Sequence, residues 1–132
     1  MATTGYSGTP LIKKLGIQQE MKIVLVNAPE NYSQLLEAAI SQQITTKFSE
    51  ADFVHLFAVS KKDLTNRFTE IIMKAKPNCI IWISWYKKSA KLETDITEDV
   101  IRAIVLPTGW VDVKVCAVSD IWSGLKIVKR KK

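Results

Sequence analysis

Glycine is missing from a long central stretch of this 132-residue sequence. The five glycines are Gly5, Gly8, Gly16, Gly109 and Gly124, so none lies between residues 17 and 108. A strand-to-helix turn that binds a nucleotide usually needs glycines, because its backbone adopts tight conformations and comes close to a phosphate group. The central stretch therefore cannot form a glycine-rich cofactor loop.

The sequence nevertheless begins like a nucleotide-binding unit, with a predicted strand over residues 21–27 and a predicted helix over residues 31–41. The turn between them runs from Asn27 to Tyr32. Pro29 removes a backbone donor from this turn, and Glu30 places negative charge at the start of the helix. Both features act against an anionic ligand, so we expect no cofactor here.

The composition indicates one globular domain over residues 1–132, because 47% of the residues are apolar and 24% are charged. Residues 1–16 read as a short N-terminal arm with an apolar side formed by Leu11, Ile12 and Leu15. No internal repeat or linker divides the rest.

Most of the net charge of +6 comes from a basic C-terminal tail over residues 126–132. Without the five basic residues of this tail, the 19 Lys and Arg residues fall to 14, against 13 Asp and Glu residues. No nucleic-acid-reading motif accompanies the charge, so nucleic-acid association through the tail is the weakest of the functions that we consider.

The sequence predicts a cytoplasmic protein that does not enter a membrane. Its longest purely apolar run, residues 79–83, is too short to span a bilayer, and residues 1–6 contain no apolar signal segment. Cys79 and Cys116 lack any metal-ligand spacing, and we expect both to be buried free thiols.

The remaining pattern predicts strands that alternate with helices. Strands are expected over 52–59 and 79–84, helices over 61–76 and 95–106, and an antiparallel hairpin over 110–118 and 122–130. Segment 44–48 is expected to be a short or irregular edge strand, because too few residues separate it from the next strand for a parallel crossover. The result is a three-layer α/β domain with a mainly parallel sheet, with the last two helices on one face and the arm and first helix on the other.

Several segments of the second half resemble the carboxyl half of a class I methyltransferase: residues 52–57, 75–78 and 109–110, and the terminal hairpin. Asn78 stands where that pattern usually has glycine. Nearly the whole chain is similar to a bacterial family, the domain of unknown function 3052, over residues 5–8, 26–29, 53–57, 83–85, 97–102 and 113–118. The resemblance implies a Rossmann-like fold with a reduced methyltransferase-like topology, and it assigns no activity and no catalytic residues.

His55 is the only histidine and could serve as a general base. On an alternating strand it shares a face with Phe53 and Phe57, and the sequence fixes no serine or cysteine nucleophile beside it. We therefore expect a structural, hydrogen-bonded histidine. We recognise no catalytic motif and no metal ligands in the sequence.

A binding site is better predicted from topology, because ligands of open parallel sheets lie beyond the carboxyl ends of the strands. Aromatic and basic residues collect at this edge, where they could form a pocket for a small anionic or planar ligand, or a contact surface for a protein partner. Alternatively, Trp85 and Trp122, which we expect to meet, only cap the end of the sheet. The candidates are Asn27, Tyr32, Ser84, Trp85, Lys87, Asp120 and Trp122.

These observations favour a non-catalytic binding or regulatory domain on a degenerate methyltransferase-like scaffold, acting as a monomer or homodimer. The alternative is a small-molecule-binding or enzymatic domain that uses the edge near Trp85, Lys87 and Trp122.

Overall fold

A computed structural model describes residues 9–131. The first half of the expected arm and the last residue of the expected tail lie outside this range. The helices are α1 (Leu11–Leu15), α2 (Tyr32–Leu36), α3 (Lys61–Lys74) and α4 (Glu98–Val105). The strands are β1 (Ile23–Val26), β2 (Phe53–Phe57), β3 (Ile80–Tyr86), β4 (Trp110–Ala117) and β5 (Trp122–Lys129).

The strands form one sheet in the order β1-β2-β3-β5-β4. β1, β2 and β3 are parallel, whereas β5 is antiparallel to both β3 and β4. The mainly parallel sheet and the C-terminal antiparallel hairpin are therefore confirmed. The hairpin places β5 inside the sheet and leaves β4 as one edge strand, opposite β1.

The helices cover the two faces of the sheet as the sequence predicts. On one side, the α3/α4 face, Leu64, Phe68 and Ile101 pack against strand residues such as Val54. On the other side, the α1/α2 face, Leu15 and Leu36 pack against the large rings of the sheet, among them Phe53, Phe57 and Trp82. Alternation along each strand separates the two sets of side chains, so the domain has three layers.

The predicted helix over 31–41 is wrong in length, because α2 ends after Leu36. Glu37 adopts a left-handed conformation with φ of 56°, and the chain then buries Ile40 before a short 3-10 turn over residues 41–43. The side-chain amide of Gln43 donates through Nε2 to the carbonyl oxygens of Gln18 and Met21, at 2.9 and 3.0 Å. These contacts hold the chain against the start of β1 and outweigh the local preference to continue the helix.

Segment 44–48 supplies a single parallel bridge, between Ile44 and Ile23, so the expected irregular edge strand is confirmed in its shortest form. The Thr45 amide donates to the Ile23 carbonyl at 2.8 Å. Ile44 lies on one side of β1, and β2 pairs with the opposite side. After β1 the chain therefore first passes along the outer side of this strand and then crosses to its inner side to form β2. The strand order therefore reverses at β1, as it does at the ligand site of open α/β sheets.

Two other boundaries differ from the prediction. α4 begins at Glu98, with the Thr97 hydroxyl capping the Val100 amide at 3.2 Å, and Asp95 lies outside the helix. β5 ends at Lys129, one residue before the predicted end of that strand, so Lys126 and Lys129 of the basic C-terminal segment lie in the sheet. The alternate residues Leu125 and Ile127 are buried. None of the helices within residues 9–131 is long and apolar enough to cross a membrane.

Candidate functional site

The carboxyl ends of β1, β2 and β3 lie at one edge of the sheet, and the β4–β5 turn lies there too. The crevice of interest is between β1 and β2, where the strand order reverses. In this crevice Asn27 follows β1 in a left-handed conformation, with φ of 59°. Its side-chain amide lies 3.5 Å from the Phe57 carbonyl and 3.5 Å from an Asp63 carboxylate oxygen. The side chain of Asn27 therefore spans the mouth of the crevice.

The N-terminus of α3 follows β2 at the same edge and is occupied by the protein itself. The Ser60 hydroxyl accepts from the Asp63 amide at 3.1 Å, and Asp95 accepts from the Lys61 amide at 2.6 Å. The neighbouring Thr94 hydroxyl donates to the Val59 carbonyl, which holds the segment that carries Asp95 against this edge. Free amides at a helix N-terminus attract anions, and here a carboxylate of the chain takes that place. No local sequence pattern indicates this role of Asp95.

The first residue of α2, Tyr32, turns its side chain into the α1/α2 face. Its hydroxyl lies 2.7 Å from His55 Nδ1, and His55 Nε2 lies 2.7 Å from the Ser84 hydroxyl. His55 and Ser84 are fully buried, and the Phe57 ring stacks on the imidazole at 4.3 Å. Two strands and a helix thus meet in one buried series of hydrogen-bonded side chains.

Burial determines the protonation state of these hydrogen-bonded side chains. It lowers the pKa of His55 from 6.5 to about 3 and raises the pKa of Tyr32. The imidazole is therefore neutral, so it donates to one hydroxyl and accepts from the other. The structural role expected for His55 is confirmed. A serine beside a histidine can form a nucleophile and base, but the Ser84 side chain is fully buried in this structure.

The two aromatic candidates do not meet, so that expectation is wrong. Trp85 pairs with Ser123 and its side chain packs on the α3/α4 face, whereas Trp122 pairs with Tyr86 and packs on the α1/α2 face. Successive residues of a strand point to opposite faces, and the register separates the two indoles in this way. Trp122 contacts the rings of Tyr86 and Phe57, with centroids 4.7 and 5.0 Å apart.

The other two candidates lie near the β4–β5 turn. Asp120 is exposed in the turn, and the Lys87 amide donates to the Ile121 carbonyl at 2.7 Å. The seven candidates therefore divide into separate groups: Tyr32, Ser84 and Trp122 on one face, Trp85 on the other, and the remainder at the rim. They do not converge on one pocket. Within residues 9–131, no group of three or more histidine, cysteine or acidic side chains is placed to hold a metal ion.

Trp122 and Lys87 distinguish a capping role from a binding role. Trp122→Ala is expected to lower the free energy of unfolding by about 2 to 3 kcal/mol, because the half-buried indole packs on two other rings. Lys87→Ala is expected to change it by less than about 0.5 kcal/mol. Urea unfolding of both variants measures the difference, and an unchanged stability of Trp122→Ala would contradict the capping role.

No protein-family model matches the sequence, and no curated protein matches it. The resemblance to the domain of unknown function 3052 therefore stays a prediction. Solved structures do match.

A Streptococcus agalactiae protein of the NADB-Rossmann superfamily matches with a TM-score of 0.57 at 8% identity, over 98% of this chain and 72% of that one. The tRNA methyltransferase TrmK of B. subtilis matches with a TM-score of 0.61 at 7% identity, over 92% of this chain and 64% of that one. A ribosomal protein methylase from Lactobacillus delbrueckii matches with a TM-score of 0.56 at 7% identity, over 92% of this chain and 75% of that one. Identities this low establish the fold alone: the chain is a Rossmann-like α/β domain with a methyltransferase-like scaffold.

Proposed function

We propose that the chain is a non-catalytic binding or regulatory domain that keeps a methyltransferase-like scaffold without its cofactor chemistry. The observation that carries the proposal is the carboxylate of Asp95 on the Lys61 amide, 2.6 Å away, at the N-terminus of α3. The edge of the sheet where such scaffolds bind an anionic or adenosyl ligand is here occupied by the chain's own side chains.

Charge at the crevice supports the same proposal. An anionic ligand between β1 and β2 would approach the Asp63 carboxylate, which lies beside Asn27. This carboxylate forms an ion pair with Arg67, 3.4 Å away on the exposed side of α3. The ligand would also have to displace Asp95 from the helix terminus. Like charges at short range oppose binding, and a displaced carboxylate loses its hydrogen bond.

The limited room in the crevice between β1 and β2 also supports the proposal. The turn after β1 contains no glycine, and the Tyr32 side chain lies buried in contact with the His55 and Phe57 rings. A ligand that entered from this side would have to displace a buried aromatic ring. The separation of Trp85 from Trp122 also removes the paired aromatic surface on which the enzymatic alternative depended.

A domain of this kind acts through its surfaces, so we expect its target to be a protein partner or a small ligand bound away from the crevice. The methyltransferase activities named for the matching structures belong to those proteins. At 7% identity we do not transfer them to this chain.

Calorimetry with S-adenosylmethionine tests the proposal. We expect no saturable binding below about 100 μM, which corresponds to roughly 5.5 kcal/mol of binding free energy. Thermal unfolding in the same buffer confirms that the titrated protein is folded. Saturable binding in this range would contradict a non-catalytic role for the crevice.

A variant of Asp95 tests the same proposal through an expected gain of anion binding. Asp95→Ala frees the Lys61 amide, so phosphate should raise its melting temperature more than that of the original chain. Asp95→Asn is the matched control, because its amide oxygen still accepts the hydrogen bond without the charge. An equal effect of phosphate on all three proteins would show that the helix terminus is not filled as proposed.

A further inference from the structure

We propose that a groove at the opposite edge of the sheet binds a small amphipathic anion, meaning an organic acid or phosphate ester with a hydrophobic body. The groove lies at the amino ends of β3 and β4, beside the end of β5. It shares no residue with the crevice between β1 and β2, so this inference does not depend on the function proposed for that crevice.

The groove has the size of a small-molecule site. Its volume is about 590 Å3, and ligand pockets commonly measure roughly 300 to 1,000 Å3. Val111 and Val128 face each other across the β4–β5 ladder and form its floor, and Pro77 and Cys79 form one wall. Both valines are only half-buried, so their apolar surface is accessible from the groove.

Cys79 belongs to this apolar wall and is not a nucleophile. Its side chain is almost wholly buried, and burial raises the pKa of its thiol to about 12. The thiol is therefore neutral and behaves as a small hydrophobic group. The expectation of a buried free thiol is confirmed for Cys79, whereas Cys116 is free and half-buried.

Three consecutive cations form the rim of the groove: Lys129, Arg130 and Lys131. The first two are fixed by the fold, because Lys129 pairs with Trp110 in the sheet and the Arg130 amide donates to the Gly109 carbonyl at 2.9 Å. The backbone at both positions is therefore held beside the groove. Both residues also lie within the strand that the sequence predicts over 122–130.

The charge of these cations is not neutralised by the part of the chain that the structure describes. Across residues 9–131, no acidic side chain pairs with any of the three, and none lines the groove. The carboxylate of Asp52, which is near Cys79, is already engaged by Lys76 at 2.6 Å and by the Lys22 amide at 2.9 Å. An apolar floor under unpaired cations is complementary to a ligand with an apolar body and an anionic group.

The lining favours a small anion over a nucleic acid. Proteins that bind single strands stack the bases on aromatic side chains, and no aromatic side chain among residues 9–131 lines this groove. A groove of about 590 Å3 also fits one compact ligand better than a polymer.

Fluorescence titration with 8-anilinonaphthalene-1-sulfonate, an aromatic sulfonate, tests the proposal on the full chain. We expect saturable one-to-one binding that weakens about tenfold in the double variant Lys129→Gln/Arg130→Gln, which loses two charge-assisted contacts. The matched control is Lys61→Gln/Lys62→Gln, which removes two exposed charges at the other edge and should leave the affinity unchanged. Circular dichroism checks that all three proteins are folded.

Methyl NMR shows where the anion binds. The Val111 and Val128 signals should shift during the titration, while those of Val113 and Val115, which are exposed on the same strand, should not. The proposal is overturned if binding does not saturate, if both double variants weaken it equally, or if Val113 and Val115 shift instead. It is also overturned if uncharged N-phenyl-1-naphthylamine binds as tightly, or if an RNA oligomer or acidic peptide binds at the rim and the sulfonate cannot displace it.

Discussion

Replacing Trp82 by alanine is expected to lower the free energy of unfolding by about 3 to 5 kcal/mol, which is a large part of the stability of a typical domain. Trp82 lies in the middle of β3 on the α1/α2 face and is fully buried. Its Nε1 donates to the Leu15 carbonyl at 2.9 Å. The substitution would therefore leave a cavity beneath the arm and remove the hydrogen bond that ties α1 to the sheet.

The variant Trp82→Phe separates these two contributions. It keeps most of the apolar contact but loses the indole N–H, so we expect a loss of about 1 to 2 kcal/mol. Urea unfolding of both variants, with comparable m-values, measures the losses. An alanine variant that loses less than about 1 kcal/mol would contradict the role of Trp82 as the anchor of the arm.

The same ring explains Gly124, a glycine inside β5. A Cβ at this position would lie 3.1 Å from the Trp82 ring and 3.0 Å from a methyl group of Val118. A side chain at this position would force the indole or the Val118 methyl group to shift by a few tenths of an ångström, so glycine lets the indole pack close to the backbone of β5. Such a close approach between two strands is not readable from the sequence pattern.

Most of the fold could be predicted because the signals are local. The apolar run of β2 is buried at all five positions, as expected for an internal parallel strand. In α3, Leu64, Phe68 and Ile71 recur at helical spacing, and a Ser60 N-cap marks its start. Alternation in β5 and the short connection before it predicted the hairpin.

The site could be predicted only in part, because it depends on register and tertiary contacts. The position of Trp85 relative to Trp122 follows from the pairing of Tyr86 with Trp122, which no local pattern reports. The sequence left Asp95 and Thr97 as alternative caps of α4, and Thr97 is the one that caps it. Asp95 accepts instead from the Lys61 amide at the start of α3, 34 positions back along the chain. Ser84 and His55 were the polar residues of two apolar runs, and that contrast is the one signal that could have indicated their pairing.

The buried histidine gives the second large effect, a dependence of stability on pH. The pKa of His55 is about 3 in the folded chain and about 6.5 when the side chain is exposed. Between about pH 6.5 and 3, the His55 side chain therefore binds a proton in the unfolded chain but stays neutral in the folded chain. This contribution to stability is fully present above about pH 6.5 and is lost as the pH falls towards about 3, with a slope of up to roughly 1.4 kcal/mol per pH unit.

Because His55 is the only histidine, it should account for most of the slope between about pH 6.5 and 5, above the range of ordinary carboxyl groups. In His55→Asn we expect that slope to disappear, together with a loss of about 2 to 3 kcal/mol at neutral pH from the poorer fit between the Tyr32 and Ser84 hydroxyls. Tyr32→Phe is the matched control, since it removes one hydrogen bond and about 1 kcal/mol while the histidine stays buried, so its slope should persist. Urea unfolding at several pH values measures all three proteins, and an equal slope in His55→Asn would mean that another group governs the acid sensitivity.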